Sequence, residues 1–61
     1  MISTKSGVSL EIIGTVIVCS DGAKYILSGD VLCGPGGFMR ENTTSMQTAI
    51  FVVVERYGGR A

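Results

Sequence analysis

Residues 9–33 read SLEIIGTVIVCSDGAKYILSGDVLC, and the fold turns on how this stretch is paired with itself. Two β-branched runs flank Asp21-Gly22, a dipeptide that supplies the positive φ angles a tight type I′ turn requires. With Asp21 and Gly22 as the two loop residues, counting outward predicts one long hairpin with strands 9–20 and 23–33. Its register sets Val18 opposite Tyr25, Val16 opposite Leu27, Gly14 opposite Gly29, Ile12 opposite Val31 and Leu10 opposite Cys33. One face of that ribbon is wholly apolar or glycine. The other mixes Glu11, Ile13, Thr15, Ile17 and Cys19 with Lys24, Ile26, Ser28, Asp30 and Leu32. Facing glycines at 14 and 29 would let the ribbon bend sharply, as small barrels do at their corners.

The rest of the chain extends this hairpin. Residues 1–7 are polar and small, and predict a frayed tail or a short edge strand through Ile2 and Thr4. Gly34-Pro35-Gly36-Gly37 must end the hairpin by Cys33 or Gly34, because proline offers no ladder donor and glycine admits a sharp turn. Phe38 to Glu41 then reads as a short strand and Asn42 to Ser45 as a polar turn. Residues 46–57 contain Ile50-Phe51-Val52-Val53-Val54, whose β-branched density predicts a strand buried on both faces, even though Gly58 could cap a helix. Gly58 to Ala61 reads as a loose tail. The expected fold is a single all-β domain over residues 1–61: a small antiparallel sheet, or an SH3-like partly open barrel, of about three to five strands.

Composition narrows what such a domain does. A chain of 61 residues is marginal as a monomer and needs a disulfide, a metal or a partner to secure it. Two cysteines and no histidine cannot furnish a conventional zinc site. Cys19 and Cys33 fall on opposite faces of the predicted hairpin, near opposite ends, so they do not bridge within one chain. Reduced thiols fit a cytoplasmic setting. No cofactor is expected. Hydrophobic residues make up 46% of the chain, and the longest unbroken apolar run, Ala49 to Val54, is far too short to span a bilayer. Lys5 followed by an apolar stretch ending at Cys19 imitates a lipoprotein signal only poorly, since Glu11 interrupts it and Val18 precedes the cysteine. Asn42-Thr43-Thr44 fits a glycosylation acceptor but reads as a turn.

Catalytic groups are scarce. No histidine stands beside a serine or cysteine, and Lys24 borders an exposed turn where it cannot serve as a desolvated base. Glu11 and Asp30 are diagonal neighbours in the predicted register, an arrangement that solvates a sheet face more readily than it performs acid/base work. The Gly34–Gly37 loop lacks the Lys-Ser/Thr pair of a phosphate-binding loop. These absences predict a protein that is not an enzyme.

An apolar excess in so small a chain favours a homo-oligomeric protein-interaction or inhibitor-type module. Phe38, Met39 and Arg40 are the predicted partner-binding residues, being interface-favoured types in the longest irregular stretch. The first alternative is a nucleic-acid-binding small β-barrel that uses Arg40, Arg56 and Arg60 with Phe38 and Tyr57. Five basic against five acidic residues weigh against it. The second is a small-molecule or nucleotide site between subunits.

Overall fold

In the computed structural model residues 1–35, 40–42 and 45–61 are described, 40–42 as backbone. The strands are β1 (Ile2–Ser3), β2 (Ser9–Ile13), β3 (Val16–Cys19), β4 (Lys24–Ser28), β5 (Val31–Cys33) and β6 (Arg40–Asn42), followed by helix α1 (Met46–Arg56). All six strands pair antiparallel in sequence order, β1-β2-β3-β4-β5-β6, as an open meander. The expected small, unclosed antiparallel sheet is the architecture found. Five of its strands run three to five residues, and β1 is a two-residue edge piece.

The predicted long hairpin is divided into three. Ile13 pairs with Val16 across Gly14-Thr15, and Ser28 pairs with Val31 across Gly29-Asp30. Both glycines have φ of +61° and the residues after them do not have positive φ. A positive φ at the first loop residue alone is the type II′ pattern, whose twist suits a two-residue hairpin. Gly14 and Gly29 thus turn the chain instead of facing each other in mid-strand. A two-stranded ribbon of that length would bury little, whereas the meander assembles a sheet broad enough to carry a core.

The register at Asp21-Gly22 also differs from the predicted one, by one residue. Ile17 pairs with Tyr25, Val18 with Lys24 and Val16 with Ile26. The cause is a three-residue loop. Cys19 N–H donates to the Ala23 carbonyl at 2.9 Å and Gly22 N–H to the Cys19 carbonyl at 3.0 Å, with Gly22 at φ +96°. That is a type I turn closed by a glycine bulge, and the Asp21 carboxylate fixes it by accepting from Ala23 N–H at 3.0 Å. Because side chains alternate along a strand, the shift exchanges faces: Ile17 and Cys19 are buried, and Val16 and Val18 lie on the other side.

The predicted strand over 46–57 is a helix. Ser45 caps it, its hydroxyl accepting from Thr48 N–H. Met46, Ala49, Ile50, Val53, Val54 and Tyr57 recur at the spacing of a single helical stripe. The C-terminus closes as a Schellman motif: Gly58 N–H donates to the Glu55 carbonyl at 3.2 Å and Gly59 N–H to the Val54 carbonyl at 3.0 Å, with Gly58 at φ +88°. Packing of this stripe on the sheet outweighs the modest helix penalty of three consecutive valines.

Ala49, Val53 and Val54 complete a core with Leu10, Ile17, Cys19, Tyr25 and Leu32 from the inner face of the sheet. The tail beyond the helix is not loose. Arg60 bridges to Thr4, Lys5 N–H donates to the Gly59 carbonyl at 2.9 Å, and Ala61 N–H to the Ser3 carbonyl at 3.1 Å. The one buried polar residue among those described is Thr4, whose hydroxyl donates to the Val8 carbonyl at 2.6 Å. As expected, β5 ends at Cys33 before Gly34-Pro35, and both cysteines are free thiols on opposite faces.

Candidate protein-interaction surfaces

Since α1 lies on the inner face, the outer face of the sheet carries whatever the alternation places opposite the core. Register alignment sorts its residues into rows. Ile13, Val16, Ile26 and Cys33 stand side by side across β2, β3, β4 and β5. The next row toward the Asp21 turn is Glu11, Val18 and Lys24, across β2, β3 and β4. On the other side Ser28 pairs with Val31. An antiparallel sheet with one face in solvent ordinarily alternates apolar and polar residues. Here the outward positions are largely Ile, Val and Cys. Ile13 is 60% exposed and Ile26 47%, so their apolar surface is open to solvent.

A second surface lies on the helix side. Phe51 falls off the buried stripe and is 64% exposed. With Ile50 and Val54 it floors an open groove of about 440 Å³, and Gln47, Glu55 and Arg60 form its rim. The tail that pairs with Thr4 holds Arg60 there, so the ordering of residues 58–61 builds one wall of the groove.

A third cluster joins the helix end to the β3–β4 turn. Tyr57 Oη donates to Asp21 Oδ2 at 3.0 Å. Burial, followed by hydrogen bonding to Tyr25, Cys19 and Asp21, pushes the Tyr57 hydroxyl well above the usual tyrosine range. Burial also raises the Cys19 thiol, an effect that its hydrogen bond with Tyr57 partly offsets and the Asp21 charge reinforces. A buried thiol kept protonated is a poor nucleophile. The Asp21 carboxylate is engaged as an acceptor for the turn and for Tyr57. The cluster reads as a clasp between helix and sheet.

The predicted site residues are dispersed. Phe38 and Met39 lie outside the described residues, as do Gly36, Gly37, Thr43 and Thr44. Arg40 opens edge strand β6, its backbone paired with that of Cys33. Arg56 is exposed in the last turn of α1, and Arg60 shares its groove with Glu55. Tyr57, expected on a basic-aromatic surface, is half-buried and bonded to Asp21. Glu11 and Asp30 are not brought together. Glu11 stands in the Val18 row on β2, whereas Asp30 sits in the β4–β5 turn beyond Ser28, more than about 13 Å along the strand direction.

The outer-face residues Val16 and Val18 escape the sequence reading because the long-hairpin register turns them inward. The signal was present in Gly29-Asp30, a hairpin dipeptide in its own right, and in Gly14-Thr15. Phe51 was discoverable as the one large apolar residue off the 46/49/50/53/54/57 stripe. The chain matches no family model, no curated protein and no solved structure, so its surfaces carry the functional argument unaided.

Proposed function

We propose that this chain is a non-catalytic binding module that associates with itself through the outer face of its sheet. Its helix side and its β5–β6 end are left for a protein partner. The observation that carries this reading is the row Ile13, Val16, Ile26 and Cys33 on a sheet face that α1 leaves uncovered. Contiguous exposed apolar patches of this kind mark interaction sites. A second sheet packed face to face is the usual way to cover one.

The monomer is already compact. Its 3823 Å² of accessible surface agrees with the roughly 3,800 Å² that size scaling gives a folded 6.4 kDa chain. Association in this proposal therefore adds burial to a finished fold, and a surface variant can separate assembly from folding. Two free thiols are compatible with a reducing, cytoplasmic setting. Among the described residues no helix is long and apolar enough to cross a membrane. Phe38, Met39 and Arg40 are proposed to meet the protein partner.

Sedimentation equilibrium at micromolar concentration tests the reading. The wild-type chain should sediment as a dimer or larger species, and Ile26→Lys should sediment as a monomer with an unchanged circular dichroism spectrum. A wild-type monomer throughout that range would overturn the proposal.

A further inference from the structure

We infer that the partner on the outer face is a second copy related by a two-fold axis running along β3, so that Glu11 of each chain faces Lys24 of the other. This inference rests on the self-association proposed above and adds its geometry. Take β3 as the centre line. Its outward residues are Val16 and Val18, and the flanking strands carry Ile13 and Glu11 on β2 and Ile26 and Lys24 on β4. Rotation by half a turn about that line exchanges the β2 and β4 sides while keeping each residue in its row.

Val16 then meets Val16 of the second copy and Val18 meets Val18. Ile13 meets Ile26 twice, and Glu11 meets Lys24 twice. An isologous interface must be self-complementary, and Glu11 and Ile13 of β2 find their matches in Lys24 and Ile26 of β4. A half-turn about an axis across the strands does worse. If that axis lies between the two rows, Glu11 is laid on Ile13 and Lys24 on Ile26, so four charged groups are desolvated against aliphatic side chains without a partner. If it lies on the Ile13 row, Lys24 is sent toward Ser28 and the acid and base still never meet. Of these axes only the one along β3 opposes acid to base, and it keeps the two sheets within the roughly 30° of aligned packing.

A standard interface takes about 800 Å² from each partner, near a fifth of the surface this chain exposes. Both charged residues are exposed in the single chain, so altering them leaves the fold intact.

Charge reversal tests the axis. Glu11→Lys alone and Lys24→Glu alone should each weaken self-association at least about tenfold, because each creates two like-charge oppositions per dimer. The doubly reversed chain should recover wild-type affinity to within about threefold. A mixture of the two single variants should form the mixed dimer in preference to either homodimer, since both acid-base pairs are restored there. The same measurements in high salt should narrow all of these differences.

Should the wild type dimerise while both reversals are silent, or should the double reversal fail to recover, the axis is wrong and self-association stands. If association instead responds to Phe51→Ser, the contact belongs to the helix groove. A monomeric wild type would remove both readings. Should a single variant misfold, the doubly reversed chain still decides the question.

Discussion

Chemical synthesis gives direct access to the two turns that divide the central stretch, because L- and D-alanine at Gly14 or Gly29 separate the meander from a continuous hairpin by the sign of their effect. In the structure both glycines have φ of +61°, and a Cβ added at either position meets nothing within 4 Å. The effect of L-Ala is therefore the backbone's. L-Ala must hold a positive φ, at a cost of about 1–3 kcal/mol. D-Ala prefers that region and restricts the unfolded chain, which stabilises by about 0.4–1 kcal/mol. For a domain of this size 1 kcal/mol moves the midpoint by roughly 4–8 °C, so L-Ala should lower Tm by roughly 5–20 °C and D-Ala raise it by roughly 2–8 °C. In mid-strand the order reverses, since L-Ala there is better than glycine by about 0.5–1 kcal/mol and D-Ala is strained. Thermal unfolding of the synthetic chains by circular dichroism reads the difference. If L-Ala stabilises at either site, the turn at that site is not where the structure puts it.

Three further outcomes follow from the core and the clasp. Val53 is fully buried beneath the sheet, and Val53→Ala should cost about 1.5–3 kcal/mol in urea unfolding, whereas Gln47→Ala on the exposed side should cost under about 0.5 kcal/mol. Tyr57→Phe removes the bond to Asp21 and should cost about 1 kcal/mol at neutral pH. Because the Tyr57 and Cys19 protons are held more tightly in the folded chain, their contribution is complete below the ordinary thiol and tyrosine ranges. It is lost as pH climbs above them, so stability should fall beyond about pH 9–10, and Tyr57→Phe should flatten that alkaline limb. An alkaline limb as steep in the variant as in the wild type would show that the fold does not hold the Tyr57 proton. Finally, Cys33 should react with a thiol reagent in the native state, while Cys19, 2% exposed, should react only on unfolding. Equal rates for the two thiols would contradict the face assignment.

The strand-rich centre, the break at Gly34-Pro35 and the separation of Cys19 from Cys33 are all legible from residue types alone, because each depends on a local constraint. Pairing is less local. Asp21-Gly22 is compatible with a two-residue loop or a three-residue loop with a glycine bulge, and the choice between them inverts every side chain from Val16 to Val18 and beyond. Gly14 and Gly29 are equally at home facing each other or turning the chain, and the decision falls to the core that six strands and a helix can bury together. At residues 46–57 two signals conflict. Val52-Val53-Val54 favours a strand, but the Met46, Ala49, Ile50, Val53, Val54, Tyr57 spacing, the Ser45 cap and Gly58 at the end all agree on a helix. The periodic pattern is the stronger guide there, since it describes what the element packs against.

The proposed interaction surface is hidden from the sequence for the same reason. With Val16 and Val18 turned inward by the long-hairpin register, the outer face reads as half polar. With the turns where the structure has them, Val16, Val18 and Val31 join Ile13 and Ile26 on the outer face, and in the terminal helix Phe51 is the large exposed apolar group.

The most direct test of the account is an isotope-filtered NOE experiment on a mixture of methyl-labelled and unlabelled chains at a concentration where the dimer is populated. Contacts between copies should be confined to the outer face, with Ile13 methyls reaching Ile26 and Val16 reaching Val16. Intermolecular contacts arising from Phe51, Ile50 or Val54, or none at all in a sample that diffuses as a 6.4 kDa chain, would contradict it.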